Sequence, residues 1–572
     1  MKTMKRVSAL IMALMLVLSL AAPVMAADNT YTLTVHNKND GHTYEAYQIF
    51  AGTLAEKDGK MYLSDIEWGT GVNGDAVLAA IKAEDGLAVL HEATDAATLA
   101  EKVSGLTTDS ESVDLFAEVV GGHLATPSGK CTDKGDYYEI TGLDAGYYLV
   151  KDKDNTLDGV EGEAYTKFII RVLKDESVNP KSSVPGVSKS INDTLVGDYG
   201  KYEDFDINDT VYYKWVGTLP SNLNAYDTYF YQFVDTLPSG IAYMQFQQVY
   251  VEGHDGNLVH TFYDITDDKT DNDTMPAGMT QSIEGTTLKL TIDDLLSLYE
   301  NILPSHSIVV KYTARVTRDA LVADSMTNTV KLIYSNNPNG EGSGNTGVTP
   351  EDVAHAFTFQ INVDKYDADN KDAKLEGAEF VLYYERIEKN DAGEETTVKH
   401  YAQVVTEEMV YVLDENGKPT AELRPEDERL INGSPVDAND IGVVRGWTTD
   451  KTQASVLDTD ENGALNVRGL DSGIYYLEET KAPAGYNLME TRVMVEIIPT
   501  YTEETKNVSV SVSYKVDSIP QESDTVGVRN SSGSTLPSTG GMGTTLFYVF
   551  GSVMVLAAIV LLVTKKRMGT EA

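Results

Sequence analysis

Cysteine is all but missing: the 572 residues contain one, Cys131, so no intramolecular disulfide can hold the fold together. A small, buried, apolar role suits Cys131 better than a catalytic thiol, because no histidine-containing motif accompanies it. Basic residues are also scarce. With 45 Lys and Arg against 88 Asp and Glu, the net charge of -43 excludes a nucleic-acid partner and favours a surface facing water and salt. Prolines number 17, and the 9 histidines are scattered. The chain has no phosphate-binding glycine loop, zinc-ligand spacing or catalytic-triad pattern, so an enzyme acting on a separate substrate is disfavoured and no cofactor or metal is called for. Tyrosine, by contrast, is abundant at 33 residues. It recurs in runs such as Thr210-Val211-Tyr212-Tyr213-Lys214-Trp215, which predict a mainly β protein of tandem sandwiches. A chain of this length is expected to form several domains.

The long apolar runs lie at the two ends. Lys2, Lys5 and Arg6 precede the apolar stretch 9–22, and Val24-Met25-Ala26 supplies small residues for a signal peptidase, so residues 1–26 read as a signal peptide. At the other end Leu536-Pro537-Ser538-Thr539-Gly540 is followed by an uncharged run from Leu546 to Val563 and by Lys565-Lys566-Arg567. Eighteen uncharged residues are about the minimum for a membrane-spanning helix, and the basic cluster would hold its end in the cytoplasm. This order resembles a Gram-positive cell-wall sorting signal, in which a sortase cuts between Thr and Gly and passes the Thr carboxyl to an amine. The resemblance implies cleavage between Thr539 and Gly540, a precursor held briefly in the membrane, and a mature chain secreted and anchored to the wall.

Three ectodomain segments separate between these ends. Residues 28–183 open with the alternating strand Tyr31–Val35 and later carry Tyr137–Ile140 and Gly146–Val150, with helical patterns at Ala76–Lys82 and Ala97–Val103. Residues 184–338 alternate through Thr210–Trp215 and Ser307–Tyr312. Glycines and polar residues then mark 339–353 as a linker. The third segment, 354–530, has strands expected at Phe357–Val363, Glu379–Tyr384, Gly473–Leu477 and Val508–Val516, and residues 531–572 form the sorting signal with its tether.

Tyr475-Tyr476-Leu477-Glu478-Glu479-Thr480-Lys481-Ala482-Pro483-Ala484-Gly485-Tyr486 matches every fixed position of the YxLxETxAPxGY motif of CnaB-type domains in Gram-positive pilins and adhesins. The resemblance implies that Lys365, on the first strand, and Asn530, on the last, become joined by an intramolecular isopeptide bond with Glu479 as catalytic carboxyl. Burial suits these three residue types, because desolvation lowers a lysine pKa towards the neutral amine and raises a carboxyl pKa so that it can shuttle a proton. Residues 397–451 look like an insertion in this sandwich. In the middle segment, Phe233-Val234-Asp235-Thr236-Leu237-Pro238-Ser239-Gly240-Ile241 resembles a stretch of CnaA-like pilin domains. By the same resemblance Lys189 is the nucleophile, Asp235 the acid catalyst and Asn336 the acceptor, with Asn337 and Asn328 as rivals. Gly146–Asp152 resembles a degenerate form of the CnaB motif without its Glu-Thr pair, so no crosslink is expected in the first segment.

Val178-Asn179-Pro180-Lys181 resembles the pilin motif that supplies a sortase with its acceptor amine, although Asn179 stands where tyrosine is usual. Pro180 keeps the chain extended at a domain junction. The chain thus resembles a sortase-assembled backbone pilin. Subunits would stack head to tail with Thr539 of one joined to Lys181 of the next, in a polymer that supports adhesion. Implied partners are pilus and housekeeping sortases, identical subunits and peptidoglycan, with tip or accessory pilins and host surface ligands as further candidates. A wall-anchored adhesin or accessory pilin that binds a host ligand is the alternative. Asp458-Thr459-Asp460-Glu461-Asn462-Gly463 starts like a calcium loop, but Gly469 stands where its twelfth ligand would be, so an Asn-Gly turn is the better reading. Asp367, Asp369 and Asp372 are weak metal candidates at this net charge.

Overall fold

The computed structural model describes residues 22–23, 30–57, 60–106, 111–180, 183–267, 272–320, 322–338, 345–389, 393–415, 418–431, 434–521, 523–533 and 542–568. Most of the expected signal peptide, Lys181, and Leu536, Pro537, Thr539 and Gly540 lie outside them. The chain divides into two compact units: 1–359 with 469–472 and 499–512, and 360–468 with 473–498 and 513–572.

The first unit contains two sandwiches in succession. In the first, the strand Tyr31–Val35 pairs antiparallel with Tyr138–Leu143 and parallel with Glu176–Val178. Its inward residues Leu33 and Val35 meet Tyr44, Tyr148 and Val150 of the facing sheet in one apolar cluster. The other face of that sheet is covered by helices Gly74–Ala83, Ala96–Ser104 and Glu111–Gly121, whose Val77, Ile81, Leu99, Val113 and Phe116 pack on Ile49 and Leu149. Asn73 caps the first of these helices and Asp95 the second, each accepting from a backbone N–H of the opening turn. Two of the helices match the sequence periodicity, whereas Glu111–Gly121 was not anticipated.

The second sandwich faces a five-stranded sheet, in the order Val187–Asn192, Thr210–Thr218, Ser307–Val316, Ile241–Glu252 and Leu258–Asp264, against a seven-stranded one. Aromatic rings fill the space between them: Trp215 stacks on Phe233 at 5.2 Å and Tyr213 on Tyr312 at 5.1 Å. The expected linker 339–353 is corrected here. Thr346–Val348 and Asp352–Phe357 are strands of the seven-stranded sheet, both pairing with Met326–Ser335.

In the second unit the strand Phe359–Asp367 pairs parallel with the last strand, Thr525–Asn530, placing Lys365 opposite Val528 and Asp367 opposite Asn530. Glu379–Lys389 and Gly473–Lys481 form the centre of the other sheet. The insertion is shorter than expected, because Glu395–Val404 and Val444–Thr448 are ordinary strands of that sheet. Between those strands lie two short ribbons, Tyr411–Leu413 with Pro419–Leu423 and Leu430–Ile431 with Ser434–Pro435, and a buried cluster of Val405, Val410 and Val436. Residues 460–463 form a turn rather than a calcium loop: Gly463 adopts a positive φ of 69°, and Asp460 Oδ1 accepts from the backbone of Asn462 and Ala464.

A helix runs Met542–Met568, with its side chains described over 548–561. Among the described residues no helix is long and apolar enough to cross a membrane. The expected transmembrane run, 546–563, extends past that window at both ends.

Candidate functional site

Strand alternation explains how polar groups come to lie in the cores. Along Phe359–Asp367 the inward positions are Phe359, Ile361, Val363 and Lys365, so the lysine occupies a slot that its neighbours fill with apolar groups. Val526, Val528 and Asn530 follow the same rule on the last strand, as do Tyr475, Leu477 and Glu479 on the strand opposite. Three predicted residues therefore converge. Lys365 Nζ lies 2.8 Å from Glu479 Oε1, and both side chains are 0% exposed. Asn530 Nδ2 donates to Glu479 Oε2 at 2.9 Å and to the Asn487 carbonyl at 2.6 Å. The Met489 backbone N–H donates to the same Oε2 at 2.8 Å, fixing the carboxylate.

Lys365 Nζ and Glu479 Oε1 thus form a buried ion pair, close enough for a proton to pass between them. Burial lowers the Lys365 pKa against the opposing pull of Glu479. The Phe380 ring centroid lies 5.0 Å from the amine and the Met489 sulfur 3.5 Å from it, so little water-like solvation replaces what the ammonium gave up. Among the described residues Asn530 Oδ1 has no hydrogen-bond partner.

The middle sandwich repeats the pattern with different parts. Tyr231, Phe233 and Asp235 point inward from one strand, and Lys189 and Ile191 from the strand Val187–Asn192 on the facing sheet. Lys189 Nζ bonds Asp235 Oδ2, and that oxygen also accepts from Trp215 Nε1 at 2.7 Å and from the Tyr312 hydroxyl at 3.0 Å. Burial pushes the Lys189 pKa down to about 8 and raises that of Asp235, the two attracting each other in opposition. The Lys189 amide donates to Asp352 Oδ2 at 2.6 Å, and Lys201 grips both Asp352 and the Lys189 carbonyl, so the strand carrying the amine is pinned at its backbone.

The expected acceptor Asn336 is not at this site. Its Nδ2 donates to the carbonyl of Leu157 at 2.9 Å, and its own carbonyl accepts from the Tyr165 amide, tying the second sandwich to a loop of the first. Asp235 pairs across the sheet with Val330, and a strand rises about 3.3 Å per residue, so six more residues carry Asn336 roughly 20 Å along. Asn337 is likewise elsewhere, bonded to Asn345. The asparagine at the site is Asn328, fully buried, whose Nδ2 donates to the Tyr312 hydroxyl at 2.7 Å while its Oδ1 has no partner.

One buried polar cluster had no sequence signal. In the first sandwich His42 Nδ1 lies 2.8 Å from Asp152 and its Nε2 2.9 Å from Glu163. The three residues come from separate loops and a strand end; Asp152 closes the degenerate motif Gly146–Asp152, and nothing in the sequence ties it to His42 or Glu163.

Comparison with known proteins places these sites in context. Residues 432–513 match the family described as a SpaA prealbumin-like fold domain, and residues 529–568 match the LPXTG cell wall anchor motif. The chain is 24% identical over 437 residues to the trypsin-resistant surface T6 protein of Streptococcus pyogenes serotype M6, spanning 71% of this chain and 74% of that protein. Among solved structures it is similar to the T6 backbone pilin of S. pyogenes, at 16% identity and a TM-score of 0.46, over 89% of this chain and 100% of that one. It is also similar to the full-length major pilin SpaD of Corynebacterium diphtheriae, at 15% identity and a TM-score of 0.44, over 89% and 99% of the two chains. These relatives are named as a surface protein and as pilins. The chain is thus a mainly β, wall-anchored surface protein with a prealbumin-like domain and an LPXTG cell wall anchor motif.

Proposed function

We propose that this chain is the structural backbone subunit of a covalently polymerised surface pilus, with each of its two crosslink-competent sandwiches closed by an internal Lys–Asn isopeptide bond. The observation that carries the reading is the Glu479 carboxyl, shielded from solvent, with the Lys365 amine on one oxygen and the Asn530 side-chain nitrogen on the other. That is the arrangement a transamidation needs. Transfer of one ammonium proton to Glu479 leaves a neutral amine, which attacks Asn530 Cγ. As the tetrahedral centre collapses, the carboxyl gives a proton to Nδ2 and takes the one that Nζ sheds, so ammonia departs and a secondary amide remains. No external enzyme or cofactor enters the balance.

In this reading the bond fastens the first strand of the sandwich to the last, across a parallel pair that shear along the strands would otherwise unzip. In the middle sandwich Lys189 and Asn328 are the partners, with Asp235 as the acid. Sortase joins Thr539 of one subunit to Lys181 of the next, and the last subunit goes to peptidoglycan. Force on the polymer would enter near residue 181 and leave near 539, through both crosslinked sandwiches. The first sandwich lies before residue 181, outside that path, and has no such triad among the described residues.

The test is an immunoblot of wall extracts from cells making the full chain or Lys181→Ala. The native chain should give a ladder and Lys181→Ala a single wall-linked band. A ladder that persists in the variant, or a single band from the native chain, refutes the polymer and leaves a wall-anchored adhesin.

A further inference from the structure

The two triads differ in how the acid reaches the acceptor. Glu479 touches both partners directly, Lys365 through Oε1 and Asn530 through Oε2. Asp235 is one methylene shorter. Among the described residues all of its hydrogen bonds fall on Oδ2, its Oδ1 has no hydrogen-bond partner, and it makes no hydrogen bond to Asn328. What spans the gap is a phenol. The Tyr312 hydroxyl donates to Asp235 Oδ2 at 3.0 Å, accepts from Asn328 Nδ2 at 2.7 Å and accepts from Lys189 Nζ at 3.2 Å. One donor and two acceptor sites are all that a phenol possesses, and each is spent on a different member of the triad. A merely packed tyrosine in an apolar core would satisfy its hydroxyl once, commonly on a backbone carbonyl, as Tyr231 does on Thr218.

We propose that Tyr312 is a catalytic residue of Lys189–Asn328 bond formation, its hydroxyl relaying to the leaving nitrogen the proton that Asp235 cannot deliver directly. The inference rests on the reading that Lys189 and Asn328 become joined. Asp235 first takes a proton from the Lys189 ammonium, and the neutral amine attacks Asn328 Cγ. Asp235 O–H then faces the phenol oxygen, and the phenol O–H turns towards Asn328 Nδ2. On collapse the phenol gives its proton to Nδ2 and is reprotonated by Asp235, which in turn accepts the proton shed by Nζ. The Cγ–Nδ2 bond breaks as the Nζ–Cγ bond persists; ammonia leaves, the phenol is unchanged, and Asp235 ends holding the proton that Nζ shed on collapse. Burial of the ring and the nearby Asp235 hold the phenol pKa well above its ordinary value, so the hydroxyl stays neutral and able to both accept and donate. Trp215 Nε1, 2.7 Å from Asp235 Oδ2, keeps that oxygen aimed at both the amine and the phenol.

The experiment follows bond formation by pulse-chase and peptide mapping in the secreted ectodomain, scoring trypsin-resistant monomer alone. The unaltered chain should link the peptides containing Lys189 and Asn328; if it does not, the parent reading fails and the relay with it. In Tyr312→Phe the link should form at least about a hundredfold more slowly, the scale of a lost general acid–base step, while the Lys365–Asn530 link in the same chain forms at its normal rate. Tyr312→4-methylphenylalanine fills the hydroxyl volume without a proton to pass and should be as slow; it also gives the answer if Tyr312→Phe does not fold. Tyr312→4-aminophenylalanine, which can donate and accept, should recover most of the rate. Linking at the native rate in Tyr312→Phe, or rescue by the methyl side chain, reduces Tyr312 to packing and overturns the relay.

Discussion

Replacing Asn530 by Ala removes the acceptor and leaves Lys365 and Glu479 to face each other as the ion pair already present at 2.8 Å. This makes it a cleaner perturbation than Glu479→Ala, which would strip a buried lysine of its counter-charge and add a desolvation cost unrelated to the crosslink. The bond joins positions 365 and 530, closing a loop of about 165 residues, and by the loop-entropy relation for disulfides such a closure restrains the unfolded chain by roughly 5 kcal/mol. The expected destabilisation of the second unit is therefore roughly 5 kcal/mol, entropic in this relation and insensitive to reductant. Intact-mass measurement of the secreted ectodomain should show one ammonia fewer lost in Asn530→Ala than in the native chain. Calorimetry should show one transition moving strongly downward. A native chain with its full uncrosslinked mass in this unit, or a variant that loses its link but melts with the native chain to within about 1 kcal/mol, would refute the reasoning.

Three further outcomes follow from the geometry. Asn328→Ala should abolish the loss of ammonia from the middle sandwich and Asn336→Ala should leave it unchanged, as read by the same mass measurement; the reverse result would restore the expectation from sequence. Gly463 has a positive φ of 69°, and a Cβ there would lie 2.3 Å from the Lys365 carbonyl oxygen, so Gly463→Ala should shift the nucleophile's strand and slow the Lys365–Asn530 link in a pulse-chase. Burial opposes a charge on His42, but hydrogen bonds to the Asp152 and Glu163 carboxylates outweigh it and push its pKa up to about 9. A raised folded-state pKa gives stability that is complete below the ordinary histidine value of about 6.5 and is lost as pH rises through the folded value. The thermal midpoint of the first sandwich should thus fall between about pH 6.5 and 9, and His42→Gln should flatten that slope.

The sequence alone determined whatever is written in contiguous residues: the apolar ends, Leu536-Pro537-Ser538-Thr539-Gly540, the run Tyr475–Tyr486, and strands whose alternation is local, such as Tyr31–Val35. Lys365 and Glu479 were legible through the resemblance of the run Tyr475–Tyr486 to the CnaB motif, and in the structure both stand where strand parity places apolar residues. The same parity could not choose between Asn328 and Asn336, since both lie in phase along Met326–Ser335 and its continuation. The choice belongs to the cross-strand register that sets Asp235 opposite Val330. Nor could parity single out Tyr312 among 33 tyrosines, because its role comes from a hydroxyl that meets three residues from three other strands. His42, Asp152 and Glu163 show the same limit. Hydrogen bonds between distant segments leave no period and no motif in a chain; they are fixed only when sheets stack about 10 Å apart and desolvation leaves each buried polar group no partner but the one across the core.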